Sequence, residues 1–238
     1  MTIHKRGMHL FLLVALALAL APAVFAQAPT PAPVPPAAAA PPPPQSGPVL
    51  EVRARHEAVD DDAFANDAEA DTLRVRLGYR WIFAPGWTVY ASAEGIGNLG
   101  SGGYNTTANG NTAYPVIADP PGTEWDEAWL GWNGNPKFEA RLGRQKLILD
   151  NARFFGNVGW RQNQQTFDAA MLAWKPAAPW ALRYLYLDQA NRVFGNYNPN
   201  PLLAEYDLDA NLLNASWTQP WGQVVGYACF GKNTLTVS

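Results

Sequence analysis

The sequence predicts an all-β protein, specifically the wall of an antiparallel up-and-down transmembrane β-barrel, and three observations carry that prediction. Segments of about ten residues alternate in polarity. The connections between them alternate long and short, and an aromatic residue stands on each side of every short one. Outer-membrane barrels have short turns at one rim, long loops at the other and rings of aromatics at the interfaces.

Residues 1–26 have the three parts of a secretory signal peptide. His4, Lys5, Arg6 and His9 give a basic start, Leu10 to Leu20 is an apolar run, and Val24-Phe25-Ala26 offers small residues for cleavage after Ala26. The run is shorter than the roughly 20 residues a membrane helix needs, so any later insertion has to use strands. Residues 27–48 carry ten prolines. Proline lacks a backbone donor and favours polyproline II, so this stretch reads as a semi-rigid periplasmic spacer. The barrel wall is expected from 49 to 238.

Strand patterns begin at Leu50-Glu51-Val52-Arg53-Ala54-Arg55. The clearest is Leu73-Arg74-Val75-Arg76-Leu77-Gly78-Tyr79-Arg80-Trp81, in which odd positions are apolar and even positions are arginine or glycine. Side chains alternate faces along a strand, so one face is apolar and the other charged. Weaker versions at 87–95, 127–132, 138–145, 167–174, 180–188, 211–217 and 223–230 bring the count to nine. Short turns fall at 83–86, 133–136, 175–179 and 218–220, and long polar connections at 58–70, 97–123, 149–164 and 189–208. Because the spacer enters from the periplasm, the first strand runs outward and its connection should be long; 58–70 fits.

Trp81, Trp87, Trp132, Phe138, Trp174, Trp180, Trp217 and Trp221 flank the four short turns, which places seven of the ten tryptophans at one rim. A β-sandwich that binds polysaccharide is the alternative, but its core gathers one or two tryptophans and not a rim of them. The rim also sets the phase of the weaker strands. With Trp132, Phe138, Trp180 and Trp217 outward, Glu127, Glu139, Arg141, Arg183, Asn214 and Ser216 turn inward. Each phase keeps charge out of hydrocarbon, where a mid-plane arginine costs roughly 2–4 kcal/mol. Phe167 and Trp174 ask for opposite faces of strand 167–174, which a bulge or an early strand end would reconcile.

The expected pore-lining set is Arg53, Arg55, Arg74, Arg76, Arg80, Glu94, Glu127, Glu139, Arg141 and Arg183, with Glu51 and Glu57 beside them. Arginine presents a planar fork of donors that suits carboxylate and phosphate. Two readings of this set stay open: a track for anionic solutes, or an arginine–glutamate ladder that satisfies its charges within the wall.

Other chemistry finds little support. Once Lys5 and Arg6 leave with the signal, 15 basic face 20 acidic side chains, against nucleic-acid binding. Cys229 has no partner for a disulfide, no Cys/His set has metal-ligand spacing, and His56 is the one histidine outside the signal, so neither a metal, a cofactor nor a catalytic set is expected. Gly95-Ile-Gly97-Asn-Leu-Gly100 spells a dinucleotide fingerprint, but Ser101-Gly102-Gly103 follows where a helix is required. Asp126 and Glu127 are expected on opposite faces of a strand, and Asp60-Asp61-Asp62 lacks the spacing of a calcium loop.

From Gly143 to Ala170 the chain reads GRQKLILDNARFFGNVGWRQNQQTFDAA. This stretch resembles the alginate-export-domain outer-membrane barrels of Gram-negative bacteria, on Gly143, Arg144, Gln145, Arg153, Phe154, Gly156, Trp160, Arg161, Phe167 and Asp168. The resemblance implies a porin-like channel whose arginine-rich bore passes polyuronate or other anionic or polar solutes. It implies outer-membrane lipid and the barrel-assembly machinery as partners, with Arg144, Arg153 and Arg161 bracing a loop or lining the entrance. It further implies a barrel of about 16–18 strands, of which nine would be the N-terminal half, since single-chain bacterial barrels close with an even number.

Overall fold

The computed structural model describes residues 45–100 and 103–233; the expected signal peptide and the proline run up to residue 44 lie outside the described residues. Nine strands form one antiparallel sheet in chain order, each paired only with its neighbours in sequence. They are β1 (Gly47–Val59), β2 (Ala68–Ala84), β3 (Trp87–Asn98), β4 (Gly122–Asn135), β5 (Phe138–Gln145), β6 (Thr166–Trp174), β7 (Trp180–Asn191), β8 (Glu205–Gln219) and β9 (Gly222–Asn233). Among the described residues there is one sheet, not the two packed layers of a sandwich, and it is open: β1 and β9 are its edges. One helical turn, α1 (Pro201–Ala204), precedes β8.

The connections alternate in length. Pro85-Gly86, Pro136-Lys137, Lys175–Pro179 and Pro220-Trp221 close tight turns at one end of the sheet, while 60–67, 99–121, 146–165 and 192–204 lie at the other. Aromatic rings gather at the short-turn end. Trp81 and Phe83 lie 5.3 Å apart and Phe83 and Trp87 6.3 Å apart; Phe138 stacks on Trp174 at 6.1 Å, Trp180 on Trp217 at 6.0 Å, and Trp217 meets Trp221 at 5.7 Å. Aromatic pairs across a ladder each add a few tenths to about 1 kcal/mol to strand pairing.

Register fixes the two faces. On one, Leu50, Val52, Leu77, Val89, Leu130, Leu142, Leu172, Tyr184 and Leu213 stand exposed, and Leu50, Leu77 and Leu142 are each more than 60 % accessible. An apolar face of this extent on a folded protein marks a surface that meets lipid or protein. The opposite, inner face of β1–β4 carries the charged positions, with Glu51 opposite Arg76, Arg53 opposite Arg74 and Arg76 opposite Glu94.

One expectation needs correction, and the ladders decide another. Asp126 and Glu127 do not take opposite faces: the β3–β4 ladder slips by one residue at Ser92/Ala93, and both carboxylates turn inward, 4 % and 3 % exposed. A bulge adds a residue to one strand and reverses the phase beyond it, so Trp125 and Leu130 share the outer face although five positions separate them. Strand 167–174 has no early end, and of its two ladders the one with β5 runs unbroken from Gln145/Phe167 to Phe138/Trp174, while the one with β7 shifts register at Asp168/Ala169. Phe167 faces inward because the inner face is apolar there. Leu185, Leu187, Leu212 and Ala169 surround it, together with Leu147 and Leu149 from the connection after β5.

The candidate functional site: a strap across an arginine-lined wall

Residues 146–165, between β5 and β6, fold back over the inner face as a strap. Its root is apolar. Leu147, Leu149 and Phe155 pack against Phe167, Leu185, Leu187 and Leu212, so burial of hydrocarbon holds this end. The middle reaches the far edge of the sheet, where Asp150 accepts from the Tyr227 hydroxyl and from Asn214 Nδ2 at 3.1 Å, and Phe154 meets the Tyr227 ring at 5.3 Å.

The tip is polar and lands on β1 and β2, at the opposite edge. Arg53 donates to the carbonyls of Gly159 (2.9 Å), Trp160 (2.7 Å) and Arg161 (3.1 Å), and Arg74 to that of Gln162 (2.7 Å). Arg55 donates to the Trp160 carbonyl and to Glu57. In return Arg161 binds Glu57 at 2.9 Å. Gln162, fully buried, donates through Nε2 to Thr72 Oγ1 at 2.8 Å and Thr72 O at 3.2 Å. Two guanidiniums lie within cation–π range of the Trp160 ring, Arg161 at 3.9 Å and Arg55 at 5.1 Å from its centre.

A third element closes the latch. Asp119, from the connection 99–121, accepts the Gln162 N–H at 2.8 Å and lies 3.5 Å from Arg55 and 3.9 Å from Arg161. It is 1 % exposed, and that burial pushes its carboxyl above the ordinary value near 3.8, while the Gln162 N–H and the two arginines oppose the rise and Glu57 adds to it. When the tip leaves, Asp119 regains water and its ordinary value. The docked tip therefore binds the proton more tightly: its stabilisation is complete below pH 3.8 and is lost as pH rises through the elevated value. Acrylamide quenching of Trp160 is expected to increase with pH over that window, and Asp119→Asn to remove the dependence.

Deeper in the wall, Arg76 is 5 % exposed and contacts three carboxylates: Glu51 at 3.0 Å, Glu94 at 2.6 Å and Asp126 at 2.8 Å. Arg74 also binds Glu51. Gln164 of the strap reaches Asp126 at 2.7 Å. Glu127 accepts from Trp129 Nε1 at 3.2 Å and lies 3.3 Å from Lys146. Toward the short-turn end, Arg141 binds Glu139 at 3.0 Å and covers the Trp129 ring at 4.4 Å, while Arg80 lies 5.6 Å from the Tyr90 ring centre. Arg183 donates to Asn214 Oδ1 at 2.9 Å.

The residues singled out in sequence therefore separate into groups. Arg53, Arg55 and Arg74 hold the strap, Arg76 and Glu94 form a buried ion cluster, and Arg80, Glu127, Glu139 and Arg141 line an open cavity beneath the strap. Among the motif residues, Arg161 braces the loop against the wall. Arg144 does not: the Leu142/Ala170 and Arg144/Asp168 register puts it on the outer face, in a bidentate pair with Asp168 at 2.8 and 2.9 Å. Arg153 is exposed and rests 5.9 Å from the Phe154 ring, so it is Phe154 that touches the wall. Gly143 has φ +117°, and a Cβ there would lie 2.4 Å from the Ala128 carbonyl, so only glycine fits. Gln145 is fully buried and donates to the Ala169 carbonyl at 3.0 Å, and the Gly156 carbonyl accepts from Gln165 at 3.4 Å. Lys146, Asp119 and Trp129 belong to the site and were not singled out in sequence, whereas Gln162 stands in the run Trp160-Arg161-Gln162 of the stretch that carries the resemblance.

No curated protein and no solved structure matches the chain. Residues 118–187, which include the latch aspartate, β4, β5, the whole strap, β6 and most of β7, match the model of one family, described as alginate export, and this is the family that the stretch from Gly143 to Ala170 resembles.

Proposed function

We propose that the chain forms the wall of a porin-like outer-membrane channel for anionic or polar solutes, an exported polyuronate among them. It reaches the outer membrane of a Gram-negative bacterium after secretory export and is inserted there by the barrel-assembly machinery. The observation that carries this reading is the two-faced sheet. A single ladder of nine strands has an exposed apolar face rimmed with aromatics and an inner face of arginines and carboxylates. A membrane has no water to satisfy open strand edges, so only closed barrels cross it with strands, and the reading requires both edges of this sheet to be paired. The strap would narrow the passage on the inner face, and the segment 118–187 that contains it matches a family model described as alginate export, which supports a transport reading.

Reconstitution into planar bilayers tests the proposal. Discrete conductance steps are expected, with preference for anions over cations in a salt gradient. Recovery of the protein in the soluble periplasmic fraction, with no conductance after reconstitution, would overturn it.

A further inference from the structure

Glu94 of β3 and Glu124 of β4 are direct partners in the ladder. Residues opposite each other in an antiparallel pair carry their side chains on the same face, and like charges there repel. Neither carboxylate is fully matched. Arg76 holds Glu94 through Oε2, at 2.6 and 3.1 Å, but the same guanidinium also serves Glu51 and Asp126. Glu94 Oε1 is buried without a partner among the described residues, and the side chain is 1 % exposed. Glu124 accepts from the Asn196 N–H at 3.3 Å and forms no ion pair among the described residues; Arg144, whose charge reaches it, is bound to Asp168 at 2.8 Å. The two carboxylates line one cavity of about 50 Å³, together with Asn163 of the strap, Asn196 and Asn198 of the connection 192–204 and Pro120 of the connection 99–121. One water needs roughly 10–15 Å³ of such space, so an ion with water beside it fits.

We propose that this cavity is a calcium site, with Glu94 Oε1 and Glu124 as its charged ligands. The donors at hand are carboxylate and amide oxygens, with no imidazole or thiolate among the lining residues. Hard cations prefer such a set, and calcium takes about six to eight oxygens at roughly 2.3–2.6 Å in adaptable arrangements. The ion supplies the positive charge that one arginine shared among three acids does not. No spacing along the chain announces the site, because strand pairing and not a continuous loop brings its carboxylates together. In that place the ion ties β3 and β4 to three of the long connections and so fixes the mouth of the wall. The site does not depend on the channel reading.

Isothermal titration calorimetry tests the site, on the full chain in detergent micelles, freed of metal with a chelator and titrated with calcium chloride. Saturable calcium binding is expected. Glu124→Gln, which keeps the size of the side chain and removes its charge, should weaken it about tenfold or more. Glu139→Gln, which alters an inner-face carboxylate outside this cavity, should leave it unchanged; near-UV circular dichroism verifies that each variant is folded. A second readout needs no variant: saturating calcium should slow hydrogen exchange of residues 195–198 about tenfold or more. Absence of saturable binding, equal affinities in the unaltered protein and Glu124→Gln, equal losses in the two variants, or exchange at 195–198 that does not respond to calcium would each overturn the assignment.

Discussion

Arg76→Met is expected to be the most damaging single substitution in the wall. The guanidinium sits between Glu51, Glu94 and Asp126, and the side chains of the last two are each 1 % exposed. Removing the cation leaves buried carboxylates without their counter-charge, which costs about 3–5 kcal/mol where such pairs have been broken. Methionine preserves much of the volume, so the loss is electrostatic and not a cavity. Urea titration of the protein folded into micelles should show the drop as an earlier midpoint with an unchanged slope. Adding Glu94→Gln to Arg76→Met should recover part of it, because one of the orphaned charges is then gone. No recovery in the double variant would mean that Arg76 acts through packing.

Gln162→Leu is expected to release the strap's tip while leaving its root in place. The amide's donors go to Thr72 Oγ1 and Thr72 O, and the hydroxyl's residue is 1 % exposed. Leucine fills the space but leaves buried polar groups unpaired, at about 1–3 kcal/mol. Hydrogen exchange of residues 157–165 should therefore quicken about ten- to a hundredfold. Residues 147–149 should keep their protection, because Leu147 and Leu149 are held by the inner apolar cluster. Loss of protection in both segments together would show that the strap is one cooperative unit and not an apolar hinge with a polar latch.

How far the sequence reaches can be argued from these same elements. Strand positions and phases were legible wherever one face is apolar and the other charged, as at Leu73–Trp81, since a period of two has no other economical explanation. Tryptophan beside each turn fixed the outward side. At Tyr184-Leu185-Tyr186-Leu187 and Leu212-Leu213 both faces are apolar because the strap covers the inner one, so alternation is silent there and the rim tryptophans Trp180 and Trp217 carried the phase: Tyr184 and Leu213 are exposed, Asn214 and Ser216 buried. Those adjacent apolar pairs were the available sign that something packs inside. The bulge at Asp126 left no sign, because it depends on ladder geometry and not on residue type. The internal partners of the wall arginines were hidden for the same reason: Arg53 and Arg74 donate to strap carbonyls, and Arg76 to buried carboxylates. Arginines that donate to strap carbonyls cannot be recognised from sequence, since every residue has a carbonyl.

The central claim is that the two faces of the sheet meet different solvents, and spin-label accessibility tests it most directly. With Cys229 replaced by serine, single labels would be placed at Leu77, Leu130 and Leu213 on the apolar face and at Thr88 and Arg183 on the inner face, in protein reconstituted into lipid vesicles. The account predicts that the first three labels relax with dissolved oxygen, which concentrates in hydrocarbon, and that the last two relax with a water-soluble nickel chelate. Labels on the apolar face that respond to the chelate as strongly as the inner ones would contradict it.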